Sequence, residues 1–128
     1  MKTQQAGLSL IEIMITLIIV AVIAGLAYPR YQKMVSRAKQ TEAKTILQAI
    51  YVGQDFYKLA NQVYSANLEM LDIQIPLDAK YTYSTKIAEN GRAFVATAVA
   101  NIDSDPALDE WQIDHRNQLV NSVNDVIE

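Results

Sequence analysis

Residues 7–28 read GLSLIEIMITLIIVAVIAGLAY, and this stretch decides how the chain is organised. From residue 8 to residue 28 it carries a single charged side chain, Glu12. At ~1.5 Å per residue, these 21 residues form a helix of roughly 31 Å, which is enough to cross the hydrocarbon core of a bilayer. The stretch therefore predicts a membrane-spanning helix.

The composition of the 128 residues excludes several kinds of function. The chain has no cysteine, so it can form neither a disulfide framework nor a thiolate metal site, and His115 is its only histidine. Residues 1–60 carry a net charge of +4 and residues 61–128 a net charge of −7, which sum to −3. We expect no direct nucleic-acid binding by the acidic second half, because phosphate binding needs a basic surface.

The residues before the apolar stretch differ from an ordinary secretory signal peptide. In a signal peptide, the small-residue cleavage site follows the apolar region, which is then discarded. Here the small pair Ala6-Gly7 comes first, after the polar residues MKTQQ. A protease that cuts after Gly7 would leave the hydrophobic helix on the mature protein.

The motif GLSLIE at residues 7–12, followed by the apolar run and Pro29, resembles the class III leader of type IV pilins and type II secretion pseudopilins. The resemblance implies that prepilin peptidase cuts between Gly7 and Leu8 and methylates the new amine of Leu8. It also implies a homo-oligomeric filament, a platform membrane protein and an assembly ATPase. The subunit would be a single-pass inner-membrane protein before assembly, and then part of an extracellular pilus or a periplasmic pseudopilus.

Glu12 is a carboxylate in an apolar helix, where an unpaired charge costs roughly 2.5 kcal/mol or more at the centre of the membrane. It lies four residues after Leu8, close to the end of the mature helix, where the helix dipole favours an anion. One interpretation is a carboxylate that reaches the headgroups and has no special role. The other, which the resemblance favours, is an ion pair with the free amine of Leu8 in a neighbouring subunit.

Two residues predict a kink in the apolar helix. Pro29 has no N–H, so the hydrogen bond back to Gly25 is lost. Gly25 also offers a small surface for close helix packing. Both residues are common in membrane helices and can be merely tolerated there.

The rest of the chain predicts an α+β fold, in which the long N-terminal helix packs on a small antiparallel sheet of three to four strands. The expected divisions are a cleaved leader at 1–7, a transmembrane or filament-core helix at 8–29, an amphipathic continuation at 30–62 and a sheet domain at 63–128. Apolar residues recur on one helix face, at Ala43, Ile46, Leu47, Ile50, Gly53, Tyr57 and Tyr64. Strands are predicted at 81–87, 93–100, 110–114 and, more weakly, 118–121, with a tight hairpin turn at Asn90-Gly91.

The densest acidic cluster contains Asp103, Asp105 and Asp109. Alternating carboxylates on a loop can bind Ca²⁺, which takes six to eight oxygen ligands. However, the spacing lacks the EF-hand glycine and glutamate, and Pro106 interrupts it. We therefore expect no cofactor, and favour a turn whose aspartates satisfy their own backbone over a calcium loop.

Three functions are compared on these residues. The favoured one is a structural pilin subunit of a type IV pilus, polymerised through its N-terminal helix. A type II secretion pseudopilin shares every N-terminal feature and is the alternative. A single-pass membrane-anchored binding or sensor domain is less favoured, and we expect no enzyme because no nucleophile, base and orienting group can be assembled from these residues.

Overall fold

The computed structural model describes residues 7–103 and 105–126. In these ranges the chain forms helix α1 (Leu10–Asn61), a 3-10 helix (Leu68–Leu71) and strands β1 (Thr82–Ile87), β2 (Phe94–Ala100), β3 (Asp109–Asp114) and β4 (Leu119–Val123). The chain divides into two compact units, Met1–Met34 and Val35–Glu128.

The first unit consists of the apolar part of helix α1. Every described residue from 7 to 34 is exposed. Helix α1 continues through Pro29. The predicted leader at residues 1–7 lies outside the described residues except for Gly7.

The second unit contains a four-stranded antiparallel sheet in the order β1-β2-β3-β4. Each strand pairs with the next along the chain, for example Ala98 of β2 with Tyr83 of β1 and Trp111 of β3. A bulge between Glu110 and Trp111 shifts the pairing of β3 with β4. The predicted α+β fold is confirmed, with four strands whose ends lie within two residues of the predicted bounds.

The core of the second unit lies between one face of α1 and the sheet. Ala43, Leu47 and Ile50 are completely buried on the helix. On β2 the inward positions are Phe94, Ala96, Ala98 and Ala100, which alternate with more exposed residues. Small alanines on this strand leave room for the helix side chains, so the predicted helix face and the strand pattern fit together.

The segment that follows α1 is held against the helix by polar and steric contacts. Gln54 donates from Nε2 to the carbonyl of Ser65 at 2.6 Å and accepts from its N–H at 2.9 Å. A methyl group at Gly53 would lie 2.9 Å from the carbonyl oxygen of Leu71 and 3.0 Å from Ile73 Cγ2. Residue 53 must therefore be glycine for this approach, a reason for its presence that helical periodicity does not reveal.

The hairpin turn predicted at Asn90-Gly91 lies between β1 and β2. The N–H of Gly91 donates to the carbonyl of Ala88 at 2.8 Å, and the N–H of Ala88 donates to the carbonyl of Ala93 at 2.9 Å. Gly91 has φ +65°, whereas the φ of Asn90 is not positive. A two-residue type I′ turn needs positive φ at both central residues, so the loop is longer, and Asn90-Gly91 are the middle two of the residues between Ala88 and Ala93.

Candidate processing and assembly site

Helix α1 begins with a serine cap. The Ser9 carbonyl accepts hydrogen bonds from the N–H groups of Glu12 and Ile13, at 3.1 and 3.2 Å, and its hydroxyl accepts from Glu12 N–H at 3.3 Å. Ser9 is thus the N-cap residue and Glu12 the third helical residue, the spacing of a capping box. The helix consequently starts at Leu10 rather than at Leu8. In the sequence, the Ser-x-x-Glu pattern at residues 9–12 is the signal for this start.

The residues of the predicted cleavage site lie outside the helix. Gly7 and Leu8 are in irregular, exposed structure, and the Leu8 side chain is 71% exposed. Among the described residues other than its chain neighbours, nothing lies within 4 Å of the position that a Cβ of Gly7 would occupy. The bond between the two residues is therefore open to a protease, but the roles of Gly7 and Leu8 in processing stay predictions.

Glu12 lies in the first turn of α1, where the helix N-terminus favours a carboxylate. Its side chain is exposed, and no other residue from 3 to 29 is charged. The arrangement places one anion near the tip of an apolar helix, four residues after the amine that a cut after Gly7 would create. The predicted ion pair would form with the same amine of a neighbouring subunit.

The apolar side chains of the first unit have no partner among the described residues. Residues 10–27 include large exposed side chains in every turn, and α1 is long and apolar enough to cross a membrane, by length and composition. None of its most apolar window is buried. A continuous apolar surface of this size indicates a membrane or another protein as its environment.

Gly25 and Pro29 both lie within α1 and are exposed. A Cβ at Gly25 would have no neighbouring atom within 4 Å, so space within this unit does not demand glycine there. Pro29 leaves the carbonyl of Gly25 without its helical donor. The kink at these two residues stays a prediction.

Asp109 was placed in the candidate calcium loop, and the structure contradicts this. Its side chain is completely buried. Its two carboxylate oxygens accept hydrogen bonds from the side chains of Gln40, Tyr81, Trp111 and Asn121 and from the backbone N–H of Asp125. The shortest join Asp109 to Tyr81 Oη at 2.6 Å and to Trp111 Nε1 at 2.7 Å. Asp109 therefore links the helix to the sheet, because alternation turns it inward at the start of β3.

This arrangement changes the acidity of the tyrosine that contacts Asp109. Burial raises the pKa of the Tyr81 hydroxyl well above its ordinary value of 10.0, and the hydrogen bond to Asp109 raises it further. The hydroxyl thus stays a donor at every physiological pH.

The acidic cluster contains Asp125 in place of Asp109. Carboxylate oxygens of Asp103, Asp105 and Asp125 lie within 4.8 Å of one another. Asp103 accepts a hydrogen bond from the N–H of Asp105 at 2.9 Å, and Asp105 accepts from the N–H of Ala107 at 2.7 Å. Such bonds, two residues apart, are those of the predicted aspartate turn.

Asp125 is the buried member of this cluster, with 4% of its surface exposed. Burial raises the pKa of its carboxyl above the ordinary value of 3.8. The hydrogen bond from the N–H of Ile102 lowers this pKa, and the nearby charges of Asp103 and Asp105 raise it. Sequence spacing could not have found this residue, since it lies 20 positions after Asp105.

Two family models match the chain. The one described as type IV pilin-like G and H matches residues 40–111, which is more than half of the chain. The one described as the prokaryotic N-terminal methylation motif matches residues 2–28. The second match covers the predicted cleavage site and most of the apolar helix.

Two curated relatives represent the two functions considered above. The type II secretion system core protein G of Pseudomonas aeruginosa is 37% identical over 71 residues, which are 56% of this chain and 50% of that protein. The type IV major pilin protein PilE1 of Neisseria gonorrhoeae is 33% identical over 104 residues, which are 79% of this chain and 56% of that protein. The chain thus spans about half the length of each of these relatives.

A solved structure shows the same fold. The type IV pilin from Shewanella oneidensis superposes with a TM-score of 0.53 at 19% identity, over 73% of this chain and 98% of that one. The helix and four-stranded sheet described above are therefore a known arrangement. Since a family model covers more than half of the chain and the resemblance in the leader is confirmed by a second, this protein belongs to the type IV pilin-like family that includes the G and H proteins.

Proposed function

We propose that this chain is the structural subunit of a type IV pilus, polymerised through its N-terminal helix. The observation that carries the proposal is the exposed apolar helix of the first unit, with Glu12 as the only charge between residues 3 and 29. Such a helix needs an apolar environment. The membrane supplies it before assembly, and other copies of the helix supply it in a filament. The role is structural, as it is for pilins and pseudopilins generally.

Maturation is proposed to occur between Gly7 and Leu8. Prepilin peptidase would remove the leader and methylate the amine of Leu8, which is supported by the match to the methylation motif and by the open bond between these residues. Intact-mass measurement of the native protein tests this, because the mature chain should lack residues 1–7 and carry one additional methyl group. A native chain that keeps residues 1–7 would instead support the membrane-anchored sensor.

Glu12 is proposed to set the register of each incoming subunit through an ion pair with the amine of a neighbouring Leu8. We expect Glu12→Gln and Glu12→Ala to give cleaved, membrane-resident protein that fails to enter filaments. Glu89→Gln is the matched control, since Glu89 is an exposed carboxylate of the second unit and its loss should leave the filament yield unchanged. Normal filament yield from Glu12→Gln would show that the charge has no assembly role.

The second candidate function is that of a type II secretion pseudopilin. It is favoured by the family model, whose description names G and H proteins, and by the similarity to core protein G. Deletion of the gene in its host separates the two functions. Loss of surface filaments with normal protein secretion supports the pilus subunit, whereas retained secreted proteins in the periplasm support the pseudopilin.

The proposed partners and compartments follow from either function. The subunit would stay in the inner membrane until a platform protein and an assembly ATPase incorporate it. It would then reach the cell surface in a pilus or remain in the periplasm in a pseudopilus. Copurification with the platform protein from cross-linked membranes would support this route.

We further propose that the aspartate cluster serves its turn and needs no metal. The support is that Asp103 and Asp105 each accept a backbone hydrogen bond within the turn. Titration of the full chain with Ca²⁺ should leave its melting temperature unchanged. A clear increase that Asp125→Asn abolishes would instead assign the cluster to calcium.

A further inference from the structure

The charges around the end of the apolar helix are of one sign. From residue 13 to residue 41 the chain contains no Asp or Glu, but it contains Arg30, Lys33, Arg37 and Lys39. The Lys39 ammonium group donates to the carbonyl of Ile102 at 2.7 Å. Arg30 and Lys33, in the first unit, are exposed. Neither has an acidic residue within one turn of helix that could neutralise it.

Two tyrosines lie among these cations. Tyr28 and Tyr31 are each 64% exposed, immediately after the apolar segment. Because the helix has 3.6 residues per turn, four side chains at its end point in directions that together surround it. They are those of Tyr28, Arg30, Tyr31 and Lys33. These four residues are called the collar. Tyrosine is enriched where a transmembrane helix leaves the hydrocarbon, because its ring is apolar and its hydroxyl is polar.

Arg30 and Lys33 are three residues apart, so their side chains lie on neighbouring parts of one helix face. A guanidinium and an ammonium group in this position can both donate to the oxygens of one phosphate. We propose that the collar binds the phosphate of an anionic phospholipid, such as phosphatidylglycerol, while the subunit is in the membrane. The proposal rests on the membrane-resident stage of the proposed function.

The observations favour a lipid over another copy of the chain as the source of the anion. The collar begins at the last residue of the apolar stretch, where a spanning helix would reach the headgroups, and tyrosines are enriched at that depth. Basic residues next to a spanning helix attract anionic lipids. Each Lys or Arg near the membrane surface increases the affinity about fivefold. The acidic second half of another copy is the competing partner, and the experiment below distinguishes it.

The test uses the purified full-length protein in nanodiscs of phosphatidylcholine, with or without an equal share of phosphatidylglycerol. Native mass spectrometry then counts the lipids that remain bound after release from the nanodisc. The test variant is R30Q/K33Q. The control is K86Q/R92Q, which removes the same charge from exposed positions of the second unit. A parallel sample contains inorganic phosphate as a competitor for the collar.

Wild-type protein and K86Q/R92Q should retain phosphatidylglycerol in preference to phosphatidylcholine, and R30Q/K33Q should lose that preference by about tenfold or more. Displacement by inorganic phosphate would assign the site to free phosphate instead. Equal lipid retention by all three proteins would overturn the proposal, and a filament defect of R30Q/K33Q would then assign the collar to another copy. Failure of every protein to enter phosphatidylcholine nanodiscs would overturn both the collar and the membrane stage of the proposed function.

Discussion

The two units of this protein differ in whether their apolar side chains are buried within the unit. In residues 35–126, one face of α1 and the inner face of the sheet bury each other, and even the polar side chains of Gln54 and Asp109 find partners within the unit. In residues 7–34, no side chain is buried. The second unit therefore has a buried apolar core that drives its folding, whereas the apolar surface of the first unit must be covered by its surroundings. The predictions that follow test this difference.

The largest expected effect is that of removing the first unit. A chain of residues 35–128 should be soluble and should keep the near-ultraviolet circular dichroism of its buried aromatic residues, since its core is complete without residues 1–34. The full chain should need detergent under the same conditions. Aggregation of the short chain, or loss of its cooperative thermal unfolding, would show that the second unit depends on the first.

Asp109→Ala should destabilise the second unit by about 3–5 kcal/mol, because it leaves several buried donors without their acceptor. Urea unfolding of the 35–128 chain, followed by tryptophan fluorescence, measures this loss. The control Glu89→Ala removes an exposed carboxylate and should change the free energy of unfolding by less than about 0.5 kcal/mol. Equal effects of the two variants would contradict the role of Asp109 in joining helix and sheet.

Two glycines in the same helix should respond differently to a methyl group. Gly53→Ala should destabilise the second unit by about 1–3 kcal/mol, because the new Cβ would meet the Leu71 carbonyl oxygen at 2.9 Å. Gly25→Ala has open space and should leave the unfolding of the second unit unchanged. Thermal melts of both full-length variants in detergent make the comparison. A Gly53→Ala protein as stable as wild type would mean that the 71–73 segment can move away at little cost.

The smallest expected effect concerns the pH dependence of stability. Burial and the neighbouring carboxylates raise the pKa of Asp125 in the folded protein. Its contribution to stability is therefore fully present below the ordinary value of 3.8 and is lost as pH rises through the folded value. Relative to wild type, Asp125→Asn should gain stability as the pH rises above the ordinary carboxyl value of 3.8, where the wild-type carboxyl must ionise in its buried site. Parallel pH profiles of the two proteins would contradict the shift.

Sequence reasoning succeeded where a feature repeats along the chain. The apolar run, the helical face that contains Ala43, Leu47 and Ile50, and the alternation of β2 each extend over many residues, so single exceptions do not hide them. The family resemblance succeeded because residues 7–12 have fixed types at fixed offsets.

The remaining features depend on residues that are distant in sequence. Asp109 was assigned to a loop because its neighbours are acidic, although its partners lie up to 69 positions away, on the helix at Gln40. Gly53 is needed because of Leu71, and Asp125 joins Asp103 only in three dimensions. The hairpin at Asn90-Gly91 was predicted at the right residues, but not the length of its loop, because this pair fits two loop lengths and the backbone of Asn90 decides between them.

The serine cap bears on what the leader is for. Ser9 satisfies the first turn of α1 with its own carbonyl and hydroxyl, and it lies two residues beyond the bond proposed for cleavage. Precursor and product would therefore share one and the same helix origin, with no unwinding or re-formation when the seven preceding residues depart. Maturation would then change only the group before the helix: the polar leader is replaced by a single ammonium group, and the helix itself stays as it was.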